Sequence, residues 1–560
     1  MIFDLSVIIK PQEESDKNLV LKKLNQALRQ KYSGGERVQF VFEKKSVDAR
    51  HGQLKFCLRY KAYVGQNPDG EKKEFSWRKA DGSKKVVVVG SGPAGLFASL
   101  KLLERGVQPV IIERGKAAGD RKRDIAAISV KGLVDGDSNY CFGEGGAGTF
   151  SDGKLYTRSN KRGNISDILQ TFAHFGADPK ILTDAHPHIG TNKLPQIVGA
   201  MRQKILELGG EFHFDSRAVD FIIENSGGQK IVKGVKALCG NEQKEFFADA
   251  VILATGHSAS DIYSLVQKVS PQSLEAKTFA VGVRVEHPRE LIDKIQYHGK
   301  RGEANLGAAE YRLAAQVDGR GVYSFCMCPG GFVVPSATGP QEIVVNGMSA
   351  AERNSAWSNA AIVVECRPED VAQIMAGQKA AADFGLENDI GSRQVGEAAL
   401  FGLAKDGGEA LLGLAFRSWL ERETWKNGGS SIGKNGQMAP AQLMKDFLAG
   451  KQSQALPRSS YTPGLVSSPL DAWLPPFISG RLKDAFNIFD KKMKGWICQD
   501  ALLIASETRT STPVRILRDK ESFECLGLKN LYPCGEGSGW SGGIVSSAMD
   551  GQNAAAAIPL

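Results

Sequence analysis

The stretch KVVVVGSGPAGLFASLKLLERG, residues 85–106, decides the fold of this chain. Its first residues have the length and the β-branched composition of a buried strand in a parallel sheet, and its last residues are typical of a helix that ends at a glycine. Gly90, Gly92 and Gly95 stand between them as GxGxxG. The first glycine permits a tight turn, the second lets the backbone approach a pyrophosphate, and the third lets helix and strand pack closely. We therefore predict a Rossmann-type dinucleotide site at the start of this helix.

The next predicted strand, VQPVII, is followed by Glu113. In a Rossmann-type fold an acid at this place accepts hydrogen bonds from the ribose hydroxyls of a dinucleotide. A carboxylate here also argues against the 2′-phosphate of NADP, because two anions would then face each other. We predict that Glu113 is a ribose ligand, and the alternative is an ordinary acid at a strand end.

Three later segments indicate that the dinucleotide is FAD rather than NAD. A simple NAD site is completed within one contiguous domain. Here ADAVILATGHSAS (248–260), LKNLYPCGEGSG (528–539) and GGIVSSAMDG (542–551) supply strand ends and a helix start far along the chain. FAD is a long molecule and needs such dispersed contacts. We expect Glu536 beside the ribityl chain, and the bare N–H groups at the start of the last helix at the flavin ring.

The composition fits a globular chain of several domains. The chain has 560 residues, of which 42% are hydrophobic and 24% are charged, and its formal net charge is +9. The positive excess is diffuse and lacks a stacking-aromatic motif, so nucleic acid is not expected as a partner. The 9 cysteines are scattered, no apolar run predicts a membrane span, and the start lacks a signal-peptide pattern. We expect a cytoplasmic location.

Changes of pattern along the sequence predict four segments. Residues 1–80 form a small α+β module of strand, helix and two strands, with a linker. Residues 81–274 form the first part of an FAD-binding domain, 275–500 an inserted mixed α+β substrate domain, and 501–560 the C-terminal part of the FAD-binding domain. The predicted fold class is therefore α/β, with a Rossmann-type domain built from discontinuous segments. A second, complete NAD(P)H domain is not evident.

Short motifs spread over nearly the whole chain carry a resemblance to a known family. They are KKSVDAR (44–50), GSGPAGLFASL (90–100), GEGGAGTFSDGKL (143–155), HPHIGTNKL (186–194), ATGHSASD (254–261), VGVRVEHP (281–288), AEYRL (309–313), SFCMCPGG (324–331), VNGMS (345–349), TRTSTPVRI (508–516) and GEGSGWSGGIVSSAMDG (535–551). Together they resemble the FAD-dependent, or NAD(FAD)-utilising, dehydrogenases of bacteria and plastids, within the glutathione-reductase-like flavoprotein superfamily. The resemblance implies FAD, a redox activity and an N-terminal α/β module, but no substrate, because the family has no established one. The superfamily usually has Asp where this chain has Glu536.

The predicted FAD-binding residues lie at strand ends, in the loop 143–155 and at the last helix. The loop is expected to follow the pyrophosphate and the flavin edge, and a purely structural turn is the alternative. Arg121 is a candidate for the pyrophosphate, with solvated surface charge as its alternative, and Ala218 and Val219 are placed at the adenine by position in the fold alone. The full set is Gly90, Gly92, Pro93, Ala94, Gly95, Glu113, Arg114, Arg121, Gly148, Thr149, Ser151, Ala218, Val219, Ala254, Thr255, Gly256, Gly535, Glu536, Gly542, Gly543 and Ile544.

Cys326, Cys328, Lys154 and His188 are the candidate catalytic residues. The two cysteines stand at i and i+2 of a predicted strand, where both thiols would share one face with Cα atoms about 6.5–7 Å apart, at the limit of disulfide geometry. They are structural or pocket-lining thiols, or a redox-active pair, and no metal site is predicted because suitable further ligands are missing. Lys154 could donate to the flavin or to a substrate anion. His188 and His257 are candidates for chemistry, with a structural histidine as the alternative.

Arg509 and Arg515 lie just before the C-terminal FAD segment. Their planar guanidinium groups suit bidentate binding of a substrate carboxylate or phosphate. Buried ion pairs between domains are an equal alternative, and the sequence does not decide between the two.

These observations predict an FAD-dependent oxidoreductase that passes hydride or electrons through flavin N5. The flavin would be reduced by a small-molecule substrate, by NAD(P)H bound transiently, or by a protein electron carrier. One alternative is an FAD-dependent tRNA-modifying enzyme, which the positive charge favours. The other is a non-catalytic flavin-binding regulatory protein, with the N-terminal module as its partner site.

Overall fold

The computed structural model describes residues 1–49, 52–68, 74–157, 163–299, 306–377, 408–429 and 435–560. Over these residues the strands are β1 Ile2–Ile9, β2 Val38–Asp48, β3 Lys55–Val64, β4 Lys85–Val89, β5 Gln108–Ile112, β6 Glu211–His213, β7 Ser216–Ser226, β8 Gln229–Cys239, β9 Glu242–Phe247, β10 Ala250–Leu253, β11 Leu274–Ala276, β12 Phe279–Pro288, β13 Ala314–Val317, β14 Arg320–Cys328, β15 Phe332–Pro335, β16 Val345–Met348, β17 Trp357–Cys366, β18 Ala439–Leu443, β19 Leu465–Ser467, β20 Leu502–Glu507, β21 Val514–Ile516 and β22 Leu531–Pro533. The helices are α1 Lys17–Arg29, α2 Pro93–Glu104, α3 Ala118–Lys131, α4 Ile165–His174, α5 Leu194–Glu207, α6 Ser260–Val269, α7 Arg289–Tyr297, α8 Pro368–Gly377, α9 Leu412–Lys426, α10 Met444–Ala449, α11 Leu470–Trp473, α12 Pro476–Lys492 and α13 Ile544–Ala557.

Five parallel strands form a central sheet in the order β22-β10-β4-β5-β6. Its inner strands are short, apolar and buried, as parallel strands covered on both faces must be. Helices α2, α4, α5 and α13 pack on one face. Helix α6 and the antiparallel sheet β7-β8-β9 pack on the other. The strand, turn and helix predicted for residues 85–106 are confirmed.

The last helix, α13, is fixed against the helix that follows GxGxxG. A Cβ at Gly551 would lie 2.0 Å from the carbonyl oxygen of Ala94, so only glycine allows this approach. Arg105 donates hydrogen bonds to the carbonyls of Ala555 and Ile558 at 2.7 and 2.8 Å and so caps the end of α13. The C-terminal segment therefore lies against the turn between β4 and α2, which carries GxGxxG.

A seven-stranded sheet with the order β13-β14-β17-β12-β20-β18-β19 forms the second large layer. Strands β12 and β17 are buried almost throughout, and α12 packs with Trp496 on a core of aromatic side chains. β20 pairs with β12 and β18 of this sheet, although it lies in the segment 501–560 that the sequence assigns to the FAD-binding domain. A short apolar run has the same pattern in either sheet, so its partner is not readable from the sequence. The four domain bounds remain predictions.

β14 contains a bulge where the sequence predicts a regular strand. Its register with β17 shifts between Phe325 and Cys328, and Cys326 has a φ of +42°. β14 is therefore not a regular strand at this pair, because the bulge breaks the alternation of side chains, but the two thiols lie close enough to shift each other's pKa. Cys328 is 0% exposed, whereas Cys326 is half-buried. A non-glycine residue in this region of φ costs of order 1–3 kcal/mol and marks a place where function is worth seeking.

The N-terminal residues form an antiparallel sheet of order β1-β3-β2 with α1 against it. Val20, Leu24 and Leu28 are the buried residues of α1, and they pack against the apolar side chains of the sheet. Asp16 caps this helix by accepting a hydrogen bond from the N–H of Leu19 at 3.0 Å. Within the ranges given above, no helix combines the length and apolar character that crossing a bilayer requires.

Candidate functional site

The carboxyl ends of four parallel strands open into one cleft. Gly90 follows β4, Glu113 follows β5, Ala254 follows β10, and Gly535 comes shortly after β22. All four residues line the cleft, whose volume is about 1500 Å³ with open solvent included. Because the strands are parallel, residues that are far apart in sequence meet at this edge of the sheet.

The three glycines of GxGxxG have different surroundings. Gly90 has a φ of +100°, and a Cβ on it would lie 2.4 Å from the carbonyl oxygen of Ala254. A Cβ on Gly95 would lie 2.0 Å from the carbonyl oxygen of Gly90, so this glycine serves helix packing. A Cβ on Gly92 would meet only the Cα of Gly146 at 3.9 Å. Gly92 therefore presents bare backbone to the cleft, and no side chain caps the helix that starts there.

Glu113 is 5% exposed and lines the cleft. One carboxylate oxygen accepts hydrogen bonds from the N–H and the hydroxyl of Ser91 at 2.9 and 2.7 Å. The other accepts from the N–H groups of Gly115 and Gly143, both at 3.0 Å. The carboxylate thus joins three loops, and a ribose ligand would have to share it with these donors.

Arg114 and Arg121 were both predicted to bind the cofactor, but they occupy different places. Arg114 lines the cleft and forms ion pairs with Asp137 at 2.7 Å and with Asp261 at 3.1 Å. Arg121 is 0% exposed and donates to three backbone carbonyls within residues 139–144. Burial lowers the pKa of Arg121 to about 10. The structure uses Arg121 to hold this loop and does not bring it to the cleft lining.

The C-terminal glycine-rich loop is anchored by a buried ion pair. Asp550 accepts a hydrogen bond from the N–H of Gly535 at 2.8 Å and pairs with Arg518 at 2.6 Å. This contact fixes the loop so that Glu536 lines the cleft. Oε1 of Glu536 lies 3.6 Å from Nδ1 of His257, which lines the cleft as well.

Helix α13 begins at the cleft. Gly543 has a φ of +99° and carries no side-chain cap, so the first N–H groups of the helix remain available. Gly543 and Ile544 line the cleft, which places the positive end of the helix there. Gly542 does not line it, and its N–H donates to the hydroxyl of Ser546 at 3.2 Å.

The loop 143–155 forms another wall. Gly148 and Ser151 line the cleft, as predicted for them. Thr149 does not, because its hydroxyl is buried and donates to the carbonyl of Glu144 at 2.8 Å. The loop therefore presents backbone and small side chains to the cleft, and Thr149 fixes its shape.

The wall opposite the glycines carries ionisable side chains. Asp152 and Lys154 come from the loop 143–155, whereas Cys326, Asn346 and Glu507 come from the second layer of the fold. The side chain of Lys154 hydrogen-bonds to the carbonyl of Met327, and its Nζ lies 3.7 Å from Asp152. The cleft thus lies between the parallel sheet and the bulge of β14.

Arg284 of β12 is 0% exposed and organises this wall. Its Nε donates to Glu507 at 2.8 Å, one terminal nitrogen donates to the carbonyl of Cys326 at 3.1 Å and to Asn359 at 2.7 Å, and the other donates to Asn346 at 2.9 Å. Burial alone would lower the pKa of Arg284, but the carboxylate of Glu507 outweighs it and the pKa is raised. A fixed positive charge therefore sits behind the bulge.

The pKa values of the two cysteines in the bulge are shifted in opposite directions. A hydrogen bond from Cys328 is the largest effect on the pKa of Cys326, which Lys154 and Arg284 also hold well below the usual thiol range against the cost of burial. The same hydrogen bond and burial raise the pKa of Cys328 well above that range. Burial would lower the pKa of Lys154, but the two cysteines and Asp152 reverse this and raise it. The arrangement favours a thiolate at Cys326 and a thiol at Cys328.

His188 lies outside the cleft lining. Its Nε2 is 3.2 Å from the carbonyl oxygen of Ala351, and its backbone pairs with that of Lys154 in an isolated bridge. Burial and the nearby charge of Arg353 lower the pKa of His188, so the ring is neutral at physiological pH. These contacts describe a support for the loop 143–155 rather than a group that faces a ligand.

The structure brings most of the predicted site residues together. Those that line the cleft are Gly90, Gly92, Pro93, Ala94, Glu113, Arg114, Gly148, Ser151, Lys154, Ala218, Ala254, Thr255, Gly256, Cys326, Gly535, Glu536, Gly543 and Ile544. Those that do not are Gly95, Arg121, Thr149, His188, Val219, Cys328 and Gly542.

Sequence reasoning missed Arg284, Asp152 and Glu507. Asp152 lies inside the predicted loop 143–155, so its position beside Ser151 could have identified it. Arg284 stands in the run VGVRVEHP, where a charge in the middle of a buried strand was a signal that a partner is needed. Glu507 stands at the end of the apolar run of β20, where a charged residue is common and does not indicate a buried partner.

The surroundings of Arg509 and Arg515 favour ion pairing over substrate binding, the two alternatives that the sequence left open. It lines the cleft, but it is bound bidentately by Glu421 at 2.9 and 2.7 Å and reaches Glu342 at 3.3 Å. Arg515 pairs with Glu275 at 2.6 Å and does not line the cleft. Both arginines are thus engaged in ion pairs. Among the residues whose positions are given, no group of His, Cys, Asp and Glu side chains is arranged to hold a metal ion.

Comparisons with known proteins identify the chain's relatives. Residues 278–389 and 393–510 match the family described as FAD-dependent protein, C-terminal domain-like, and residues 83–124 match an FAD binding domain. An uncharacterized protein of Clostridium beijerinckii is 35% identical over 558 residues, covering 96% of this chain and 95% of that protein.

Among solved structures, that of Thermovibrio ammonificans THI4 is 18% identical and covers 34% of this chain and 64% of its own, with a TM-score of 0.24. FqzB is 12% identical over 60% of this chain and 61% of its own, with a TM-score of 0.27. CmlS, a flavin-dependent halogenase, is 14% identical over 52% of this chain and 43% of its own, with a TM-score of 0.26. The matches thus span less than two thirds of each of these chains.

The cleft fits FAD. Bare backbone at Gly92 leaves room for a pyrophosphate, and uncapped helix starts face the cleft at both α2 and α13. The first suits phosphate and the second suits the electron-rich end of a flavin. The chain binds FAD and belongs to the family of FAD-dependent flavoproteins that includes the Clostridium beijerinckii protein.

Proposed function

We propose that this chain is an FAD-dependent dehydrogenase or reductase, and that its substrate meets the flavin at the wall formed by Cys326, Lys154 and Asp152. The supporting observation is that one cleft is lined both by the dinucleotide loops and by these ionisable side chains. When bound, FAD supplies two-electron chemistry at N5 of its ring. A purely structural flavin would not need a thiol and an ammonium group at the same cavity.

The residues of the two walls have distinct roles in this proposal. The N-terminus of α13 offers uncapped N–H groups and a partial positive charge, which stabilise negative charge on a bound ring. Lys154, held by Asp152 and by the carbonyl of Met327, orients an anionic substrate or holds a proton at Nζ. Arg284 keeps the bulge in place from behind.

The electron donor is NAD(P)H bound transiently, the substrate itself or a protein electron carrier. One GxGxxG turn of the Rossmann type is found in the sequence, and FAD uses it. We therefore expect a nicotinamide donor to enter the open part of the cleft, without a complete domain of its own.

An absorbance spectrum of the purified holoprotein, recorded anaerobically before and after NADH and NADPH, tests this proposal. Bleaching of the flavin band by one nicotinamide identifies the donor and supports a reductase. A flavin that is bleached by neither, and not by a panel of reduced small molecules and electron-carrier proteins, contradicts the proposed activity. The variant Lys154→Met serves as the matched test of the substrate wall, and it should retain FAD but lose steady-state turnover.

A further inference from the structure

We propose that Cys326 and Cys328 form a redox-active thiol pair whose substrate is a disulfide, with Cys326 as the attacking thiolate and Cys328 as the resolving thiol. The proposal rests on the function proposed above, because FAD is the source of the electrons. It names the substrate class of the same cleft. The observations that carry it are the exposure of one sulfur to the cleft, the burial of the other behind it, and the charges around both.

The bulge of β14 creates this arrangement. A regular strand would place both side chains on one face. Here the strand is irregular, with a register shift and a positive φ at Cys326, and the two thiols remain neighbours. Cys326 lines the cleft, whereas Cys328 is fully buried. The S–H of Cys328 donates to the carbonyl oxygen of Cys326 at 3.3 Å, and the thiol of Cys328 lies close enough to that of Cys326 to lower the pKa of Cys326. An attacking sulfur in front of a resolving sulfur is the geometry that thiol–disulfide exchange requires.

Charged groups face the pair from the loop 143–155 and from two strands of the seven-stranded sheet. Lys154 and Asp152 approach from the loop 143–155, Arg284 from β12 and Glu507 from β20. The buried Tyr311 lies close enough to Cys328 for the thiol to affect its pKa. Arg284 reaches both residues, since it donates to the carbonyl of Cys326 at 3.1 Å and lies 4.0 Å from the sulfur of Cys328. The two cations favour the thiolate at the cleft, and the two carboxylates neutralise the cations in its absence.

The reaction has two exchange steps. In the first, the Cys326 thiolate attacks one sulfur of a substrate R–S–S–R, a bond from Cys326 to that sulfur forms, the substrate S–S bond breaks, and R–S⁻ leaves and takes a proton from solvent. In the second, Cys328 gives its proton to solvent and attacks the sulfur of Cys326, so that a Cys326–Cys328 bond forms and the second R–S⁻ leaves. The protein pair loses two electrons and the disulfide gains them. The reduced cofactor of the proposed function is the two-electron reductant that restores both thiols.

Cys141 provides an internal comparison. It also lines the cleft and is half-buried, but its sulfur contacts Ser336 at 3.7 Å and Arg509 at 3.8 Å and has no cysteine beside it. Arg509 is already bound by Glu421. Cys141 therefore shares the exposure of Cys326 without its resolving partner, and Cys141→Ser is the matched control.

The test uses the reduced holoprotein, freed of reductant under anaerobic conditions and treated with oxidised glutathione. We expect the wild type and Cys141→Ser to release two glutathione molecules per pair oxidised and to carry no adduct on Cys326. Cys328→Ser should release one glutathione and keep the other on Cys326, as peptide mass spectrometry shows. Cys326→Ser should give no exchange in this segment. Equal release from the wild type and Cys326→Ser, or an adduct in Cys328→Ser that lies only on other cysteines, would overturn the proposal.

Alkylation supplies a second readout that does not depend on turnover. At pH 6 a thiol with the ordinary pKa of about 8.5 is only about 0.3% ionised, so iodoacetamide should label Cys326 at least about tenfold faster than reduced glutathione added to the same sample. Labelling of Cys326 and glutathione at equal rates at this pH would contradict an attacking thiolate.

The two proposals can fail separately. A holoprotein whose flavin is bleached by NADH or NADPH but which shows no exchange at Cys326 retains the proposed function and loses the disulfide substrate. A holoprotein that exchanges with oxidised glutathione but whose flavin accepts electrons from no donor keeps the thiol pair and contradicts the oxidoreductase.

Discussion

The two walls of the cleft are built in different ways. The edge of the parallel sheet offers glycine backbone, strand ends and uncapped helix starts, with Gly92 as its barest point. The opposite wall offers the thiol of Cys326 from the bulge of β14, the ammonium group of Lys154 from the loop 143–155, and behind them the fully buried guanidinium of Arg284 on β12. Backbone N–H groups at a helix start bind a phosphate through their position and partial charge, and this binding does not depend on the reaction that the enzyme catalyses. Buried charged side chains cost stability and are retained where reactivity or specific geometry is needed. The first wall therefore holds the cofactor, and the second determines what reacts with it.

The largest effect should come from the second wall, through Arg284→Leu. This change leaves Glu507 buried without its partner, and breaking a buried pair in this way costs about 3–5 kcal/mol. Urea unfolding measures it. The control is Arg367→Leu, which removes an exposed pair with Glu365 at 2.7 Å and should cost about 0–1 kcal/mol. Equal losses from both variants would show that the buried network contributes no more than surface charge.

The first wall should respond to Gly92→Val through binding and not through folding. The added side chain enters the space that we assign to the pyrophosphate, since a Cβ there meets only Gly146 at 3.9 Å. We expect the Kd for FAD to rise by at least about 100-fold, which is about 2.7 kcal/mol. Gly119→Ala is the control, because a Cβ at Gly119 meets no atom within 4 Å among the described residues. A folded Gly92→Val protein with wild-type FAD affinity would place the pyrophosphate elsewhere.

The seven-stranded sheet behind the second wall should lose stability at acid pH because of His287 of β12, which lies against Trp496 and outside the cleft lining. This ring is 0% exposed, its Nε2 lies 2.8 Å from the carbonyl oxygen of Trp496, and burial lowers its pKa to about 4. Below the ordinary histidine pKa of about 6.5, His287 binds a proton in the unfolded chain but not in the folded chain. The contribution of neutral His287 to stability is therefore complete above pH 6.5 and is lost between pH 6.5 and 4, at about 1.4 kcal/mol per pH unit. His287→Gln should reduce the slope of unfolding free energy against pH in this window, and an unchanged slope would contradict the assignment.

The smallest effect should follow Glu536→Asp at the first wall. The carboxylate lines the cleft and faces His257 at 3.6 Å, and shortening it by one methylene keeps its charge. We expect the Kd for FAD to change by less than about threefold, or about 0.65 kcal/mol. Isothermal titration of the FAD-free protein measures it. A loss of tenfold or more would show that the length of Glu536 is adapted to a contact that Asp cannot make.

The same contrast explains what the sequence could predict. Glycine spacing, strand composition and the distant GEG and ATG turns are local signals, and they located the parallel sheet and most of its cleft residues. Arg121 was misplaced because a basic residue near a phosphate loop looks the same whether it binds a phosphate or, as here, three backbone carbonyls. The bulge at Cys326 arises from pairing with β17, and β20 joins the larger sheet through partners far away in sequence. Long-range pairing leaves no local pattern. Cys326 and Lys154 were therefore predicted as separate candidates, and only the structure shows that they meet Arg284 and Glu507 at one wall.

Hydrogen exchange of the FAD-depleted full chain, with and without added FAD, tests most directly whether both walls face one cofactor. We predict slower exchange at the amides after β4, β10 and β22 and at the start of α13, and also at 152–154 and 326–328 in the second wall. Protection confined to the glycine loops, with 152–154 and 326–328 unchanged, would contradict an account in which the thiol pair and the flavin share one site.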